Sequence, residues 1–366
     1  MVKMVYSKAR ILVLICLLLT VSSPSLLANP ENQAEDIAPV EYIQGVVVSV
    51  QELYNTTVKK APGKGTDSAD LVIIRLTSGL ESGQEVKCIH HKMSISMPGM
   101  EIDPKPGDKI VVAVTQDFNR KSYNIADYER LSYIYILLGI FAVILLVIGR
   151  RVGLRSLFVI GFAIFVILEV MIPLILKAHW SITLITFLVS AIIAFVTQIT
   201  VSGWNSKTWG AALGTVGGVA IAGLLASASI VLMHLTGLDS EEAMMLKVTY
   251  LASVNFQDVL FAGIILGSLG AVMDVAISIA SAQYEIKCSC PELRFLELLK
   301  SGLNVGKDIM GTMSNTLILA YLGSFLPLIL LISAQKNLPL IKILNSNLIV
   351  TEVVRAITGS IGLICA

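Results

Sequence analysis

The residues of this chain best equipped for chemistry interrupt apolar runs. Asp274 sits inside "GIILGSLGAVMDVAISIAS" (263–281), while Asn315, Glu352 and Arg355 sit inside two later runs. A charged side chain facing lipid costs several kcal/mol, so such groups turn toward protein or a water-filled cavity. Stacked at about 1.5 Å per helical residue, these four lie within about two turns of one another in depth. They are expected to form a buried polar cluster. Two acids and one base leave a spare proton or cation, so the cluster reads either as a solute or ion pathway or as a lock that holds the helices together. Glu169, four residues before Pro173, either joins the pathway or marks a kinked helix.

Catalytic signatures are missing from the sequence. There is no H-E-x-x-H, no G-x-G-D pair around an intramembrane acid, no Ser/His dyad at a shared depth and no P-loop. The expectation is therefore not an enzyme, and any transport would be secondary or driven by a partner. Two clusters carry soft ligands. Cys88-Ile-His90-His91 reads as a strand end whose side chains alternate between faces. Cys288-Ser-Cys290 supplies half of a usual site. Neither a metal nor a cofactor is expected.

The helices that must position the polar residues carry stripes of small ones. Gly263, Gly267, Gly270, Asp274, Ser278 and Ser281 recur in steps of three and four, which keeps them on one helical face. Lipid tails are as apolar as leucine, so membrane helices associate where small side chains let backbones approach. The face is therefore expected to be a helix contact, with Asp274 pointing into protein. Gly214, Gly218, Ala222, Ala226 and Ser229 form a similar stripe. Asp308, Gly311 or Thr312, Asn315, Ala320 and Gly323 form another, and Glu352, Arg355, Gly359 and Gly362 a third.

Composition agrees with a membrane setting. Of 366 residues, 55% are hydrophobic and 14% charged, with mean hydropathy +0.79. A soluble domain carries roughly 25% charged residues. The net charge of +1 gives no field for nucleic acid, and the five cysteines form no pairing framework. Lys3, Lys8 and Arg10 precede "ILVLICLLLTVSSPSLLA", a basic and then apolar pattern that reads as a signal peptide or uncleaved signal anchor over 1–28. From 29 to 130 charges return around the short β-branched runs "GVVVSVQ", "DLVIIRLTSG", "GQEVKCIH" and "GDKIVVAVTQD". Turn residues separate them, so this part is expected to be an extracytoplasmic all-β domain, an OB-like barrel or a sandwich of four or five strands. "NTTVKKAPGKGTDSAD" reads as a long exposed loop.

Residues 131–366 then read as an all-α polytopic bundle. Its seven core spans are about 132–149, 153–176, 181–201, 209–236, 258–284, 311–333 and 341–364. With residues 1–10 inside, eight basic residues (Arg150, Arg151, Arg155, Lys207, Lys287, Arg294, Lys300, Lys307) fall on cytoplasmic loops. Four (Lys177, Lys247, Lys336, Lys342) fall on outer loops between core spans. This asymmetry places the C-terminus in the cytoplasm. The loop "QYEIKCSCPELRFLELLKSGLNVGKD" reads as an amphipathic helix along the inner interface.

The segments "GSLGAVMDVAISIASA", "VGKDIMGTMSNTLILAYLGSFLPL" and "NSNLIVTEVVRAITGSIGL" resemble the YibE/F-like family of multispanning membrane proteins. "LTSGLESGQ", "PGDKIVVAV", "ADYERLSYI" and "GAALGTVGG" are milder matches. The resemblance implies an integral cytoplasmic-membrane protein with an extracytoplasmic β domain and a helical core, and it brings no established activity. Two functions compete. One is a secondary transporter or permease-like protein working through Asp274, Asn315, Glu352 and Arg355. The other is an accessory or assembly protein acting through its exported β domain. Expected partners are membrane lipid and either a membrane-protein partner or further copies of the chain.

Overall fold

In the computed structural model, the described residues are 40–57, 66–79, 81–92, 102–117, 120–177, 180–334 and 339–366. The 1–28 leader lies outside them. The chain divides into two compact units, the boundary falling between Ile144 and Leu145.

The first unit is built on one curled antiparallel sheet of five strands: β1 (Glu41–Thr57), β2 (Thr66–Leu76), β3 (Glu85–Lys92), β4 (Lys109–Asp117) and β5 (Arg120–Tyr128). Their order is β3-β2-β1-β4-β5. The result is a half-barrel rather than two packed sheets. The 17-residue β1 is its hub, pairing with β4 over Glu41–Val46 and with β2 from Gly45 onward. Irregularities at Val47/Ser49 and Glu52/Tyr54 bend it, as bulges do. Alternate residues fill the concave side, with Val47, Val72, Ile74, Ile110 and Val112 buried together with Cys88. Burial raises the Cys88 thiol pKa, keeping it protonated. Gly79 and Gly83 bend the β2–β3 turn at φ 84° and 91°, and Gly107 bends the one before β4 at φ 96°. Glu81 accepts from Tyr123 at 2.7 Å and pairs with Lys121, joining this turn to β5. The stretch read as one long loop is shorter, because β1 runs to Thr57 and β2 starts at Thr66.

The second unit is helical. Helix α1 (Leu131–Phe165) leads into it and passes through a π-helical turn at Val166–Met171 into α2 (Ile172–Lys177). The expected spans 132–149 and 153–176 part at a break at Arg150 (φ 46°, ψ −118°) inside α1. The break is sharp. Eight helical residues rise about 12 Å, yet a Cβ on Gly153 would collide with the Leu145 carbonyl. The π turn lies just ahead of Pro173, whose ring crowds the carbonyl four residues back, that of Glu169.

The remaining helices are α3 (Ile182–Ser202), α4 (Ser206–Leu232), α5 (Glu241–Thr249), α6 (Phe256–Ser289), α7 (Phe295–Ser324), α8 (Leu326–Ala334), α9 (Leu340–Leu344) and α10 (Asn347–Cys365). Among the described residues five helical runs are long and apolar enough to cross a membrane, or six when α7 and α8, bent by 59°, count as one. Two expected spans are broken: 311–333 at Phe325, next to Pro327, and 341–364 at Asn345 and Ser346. The expected interfacial helix is absorbed into α6 and α7, which are separated only by residues 290–294.

Helix α6 is central, packing against α3, α4, α7 and α10. Its buried face is Leu260, Phe261, Ile264, Ile265, Ser268, Leu269, Val272, Val275 and Ala276. Gln198 of α3 ties three helices, donating to Thr215 Oγ1 at 3.3 Å and to the Met273 carbonyl at 3.5 Å. Helices α4 and α10 make the closest approach. A Cβ on Gly218 would stand 2.6 Å from the Gly362 carbonyl oxygen, and one on Gly362 2.6 Å from Ala222 Cβ.

This contrast makes a paired prediction. Gly218→Ala should lower the melting temperature of the detergent-purified protein, because the α10 backbone has nowhere to retreat. Gly263→Ala, where no atom lies within 4 Å of the new methyl, should hold or raise it, since alanine is favoured over glycine in a helix by about 0.5–1 kcal/mol. Equal responses would show that the α4–α10 crossing is not tight.

Candidate functional site

Helix α10 carries polar residues from its first turn inward. Asn347, Thr351 and Arg355 are spaced i, i+4, i+8, and so share a face, with Glu352 beside them. At the helix start, Asp239, in the loop between α4 and α5, gathers two donors. Thr351 Oγ1 donates to its Oδ2 at 2.6 Å, and Asn347 Nδ2 donates to its Oδ1. Asn347 Nδ2 also donates to Thr236 Oγ1 at 2.9 Å. One turn deeper, Arg355 Nη2 stands 3.3 Å from Glu352 Oε1. Their side chains are 29% and 13% exposed, so the pair is largely withdrawn from the surface. Glu352 lies within electrostatic reach of Asp239. Tyr321 of α7 lies within reach of both Glu352 and Arg355, and its hydroxyl abuts Gly267 of α6.

The line from Asp239 through Thr351 to the ion pair and Tyr321 is not fully satisfied. Glu352 Oε2, Arg355 Nε and the Tyr321 hydroxyl are buried without a hydrogen-bond partner. Buried polar groups are paired in the great majority of cases, so three orphans around one ion pair mark a site with spare bonding capacity. Chemically, the line offers two carboxylates that can take a proton or hold a cation, a fixed guanidinium charge, and hydroxyls able to donate or accept. Among the described residues no group of three or more His, Cys, Asp or Glu side chains is placed to hold a metal.

The expected four-residue cluster does not assemble as one body. Glu352 and Arg355 meet, but on one helix, because a three-residue step already puts them side by side. Asp274 is exposed on α6 and makes no ion pair or hydrogen bond with Arg355 or Asn315. It lies two residues, about 200° of rotation, from buried Val272, on the face opposite the packed one. Asn315 is exposed on α7, while the hydroxyl of its neighbour Ser314 is buried and unpaired.

The small-residue positions divide similarly. Gly359 is a contact, its Cβ position lying 3.1 Å from Ser268 Cβ and 3.2 Å from Leu317 Cδ2. Gly267 meets Tyr321, and Ser278 is half-buried. Gly263, Gly270 and Gly311 have no atom within 4 Å of a Cβ position. The expected α6 contact face is thus open within this chain except at Gly267, because α6 packs through its bulkier side.

Sequence reasoning missed Asp239, Asn347, Thr351 and Tyr321 as site residues. Asp239 sits among loop acids with Glu241 and Glu242, and it reaches Thr351 across 112 positions of chain. The legible signal was the i, i+4, i+8 polar spacing at the start of α10.

The comparison with protein families covers these same helices. Residues 137–366, well over half the chain, match the model of the YibE/F-like protein. The chain belongs to the YibE/F-like family. Its apolar helices and this membership make it a multi-pass membrane protein. The match includes Asp239, Tyr321, Glu352 and Arg355 and stops short of the β strands. No curated protein and no solved structure shows a significant match.

A double-substitution cycle tests the pair. Glu352→Gln or Arg355→Gln alone should destabilise the purified YibE/F-like protein by about 1–3 kcal/mol, the cost of leaving a largely withdrawn group without its partner. The double variant should recover part of that loss, with a coupling of about 0.5–3 kcal/mol. Thermal unfolding in detergent reads both; strict additivity would mean that the pair is not coupled.

Proposed function

We propose that this YibE/F-like protein is a secondary transporter whose pathway for protons or other small cations runs from Asp239 along α10. One observation carries the reading: a largely withdrawn Glu352–Arg355 pair whose remaining polar atoms, Glu352 Oε2 and Arg355 Nε, have no partner, directly below a carboxylate at the helix mouth. A purely structural lock would gain by satisfying those atoms, since each unpaired buried group costs about 1–3 kcal/mol. Intramembrane ionisable residues also mark ion and proton routes in pumps and transporters. The glycine-rich crossings of α4 and α10 supply the backbone proximity that packed membrane helices use.

The transporter reading is tested in proteoliposomes. An imposed pH or potassium gradient, followed with a pH-sensitive dye or a potassium electrode, should decay faster with wild-type protein than in empty vesicles. Glu352→Gln, if it purifies as a monodisperse protein, should bring decay back toward the empty-vesicle rate. Equal decay with and without wild-type protein would remove the transporter reading and favour an accessory role for the β unit.

The orientation is part of the same proposal. With the chain crossing once on either side of the break at Arg150, the eight-to-four basic asymmetry supports an extracytoplasmic β half-barrel and a cytoplasmic α6–α7 turn. Cys288 and Cys290 at that turn are free and exposed, whereas Cys88 is buried in the β core and is a poor reporter. A variant retaining only Cys288 should resist an impermeant thiol reagent in intact cells and react after permeabilisation. Labelling before permeabilisation would reverse the threading.

A further inference from the structure

Two files of residues run along the seam between α6 and α7. Gly267, Asp274 and Ser281 recur at seven-residue steps on α6, and Lys307, Ser314 and Tyr321 do so on α7. A seven-residue step is nearly two full turns, so each file keeps to one side of its helix. The helices are joined by the short segment 290–294 and run antiparallel, and three contacts fix their register. The Tyr321 hydroxyl abuts Gly267, a Cβ on Gly306 would stand 3.2 Å from Ile279 Cδ1, and one on Gly302 would run into the Gln283 side chain. Asp274 therefore lies within about one turn of Ser314 in depth, and Ser281 within about one turn of Lys307.

The Gly267–Tyr321 contact belongs to the polar line described above, since Tyr321 is within electrostatic reach of Glu352 and Arg355. Its hydroxyl is buried without a partner, and so is that of Ser314, about 10 Å further along α7. Asp274 is exposed, on the face of α6 that meets α7 only at Gly267. A carboxylate in hydrocarbon costs several kcal/mol, so this one stands in water or against protein. The two orphan hydroxyls have the same need. Between the levels of Tyr321 and Ser314, Gly270 leaves room, with no atom within 4 Å of its Cβ position. Polarity rises toward the α6–α7 turn, from a phenol through a hydroxyl and a carboxylate to the exposed Lys307 ammonium.

We propose that the α6–α7 seam is a hydrated continuation of the polar line, leading from Tyr321 past Ser314 to Asp274 and opening toward Ser281 and Lys307. Water bridges polar groups that stand too far apart for a direct hydrogen bond, as these hydroxyls do. Asp274 is then the carboxylate at the far end of the route, as Asp239 is at the mouth. The inference rests on the transporter reading for what moves along the seam, and not for the presence of water in it.

Thiol accessibility tests the seam without any flux. The parent is full-length protein that keeps buried Cys88 and has its other four cysteines replaced by alanine. A charged methanethiosulfonate is applied to permeabilised cells, so that either side of the membrane supplies it. Such a reagent stays out of hydrocarbon and attacks thiolates, which form in water. Ser314→Cys and Asp274→Cys should react at least about tenfold faster than Leu319→Cys. Leu319 is 55% exposed and stands about 200° around α7 from Tyr321. Ser314→Cys is nearly isosteric and keeps the test decisive if Asp274→Cys folds poorly. A rate at Ser314→Cys no higher than at Leu319→Cys would mean a dry seam, covered by lipid or another chain, and would overturn the proposal. An inert Asp274→Cys in a folded protein would do the same. In proteoliposomes whose wild-type protein speeds gradient decay, Asp274→Asn should return decay toward the empty-vesicle rate and Asp274→Glu should keep it fast. Unchanged decay with Asp274→Asn would also overturn the proposal. Wild-type decay equal to that of empty vesicles removes the transporter reading alone and leaves the thiol rates to decide the seam.

Discussion

The close crossing of α4 and α10 is the constraint on which the helical unit depends. At Gly218, Ala222 and Gly362 the two backbones approach so nearly that a single added methyl meets a carbonyl or a Cβ at 2.6 Å. In water such proximity would be one route to burial among several. In lipid it is a principal source of adhesion, because leucine on leucine gains little over leucine on lipid. The crossing also fixes the rotation of α10. Gly359 and Gly362 face α6, α7 and α4, and Glu352 and Arg355 lie on the same stripe. Arg355 stands about one to two turns before these glycines and Glu352 about two to three, so turning the glycines inward turns the acid and base inward with them. The charged site is thus placed by residues that carry no charge.

Legibility followed the physics of each unit. In the β unit, alternation between water and a core marks every second residue, and four of the five strands were visible as β-branched runs. The sheet's curl was not, since it depends on how β1 divides its pairing between β2 and β4. In the helical unit, the apolar runs were evident, and so was the interruption at Arg150, where two arginines divide 132–149 from 153–176; the breaks at Phe325 and Asn345, inside expected spans, went unread. The small-residue stripes reveal the limit most clearly. Spacing shows that Gly263, Gly267, Gly270 and Asp274 share a face. It does not show which face of α6 meets its neighbours, because a membrane helix is apolar on both sides. The packed side is the bulkier one, with Ser268 as its small residue against Gly359.

The candidate site was half legible for a related reason. An acid and a base three residues apart on one helix can be paired on paper, and Glu352 with Arg355 is such a pair. Contacts between helices need the fold. Asp239 joins α10 only because the α4–α5 loop folds over the start of that helix, where Gly237 takes φ 71° against the Phe256 carbonyl and Gln257 Nε2 donates to Leu235 O at 2.8 Å. These anchors lie in segments whose composition reads simply as polar loop.

The two kinds of polar contact on α10 do different work. Asn347 and Thr351 reach across to Asp239, so they tether the start of the helix to the α4–α5 loop. Glu352 and Arg355 form their ion pair within α10, so they neutralise charge without an ion pair to a neighbouring helix. A pair confined to one helix survives translation of that helix, whereas a pair shared between helices must break when they slide. An i,i+3 spacing therefore lets α10 carry two ionised groups through a change of packing without exposing either as a lone charge, whose cost in lipid would be several kcal/mol. The tether at Asp239 is built from hydrogen bonds to neutral donors, each worth about 1.5–3 kcal/mol when one partner is charged. The tether and the pair share no hydrogen bond, so either can be lost while the other stays intact.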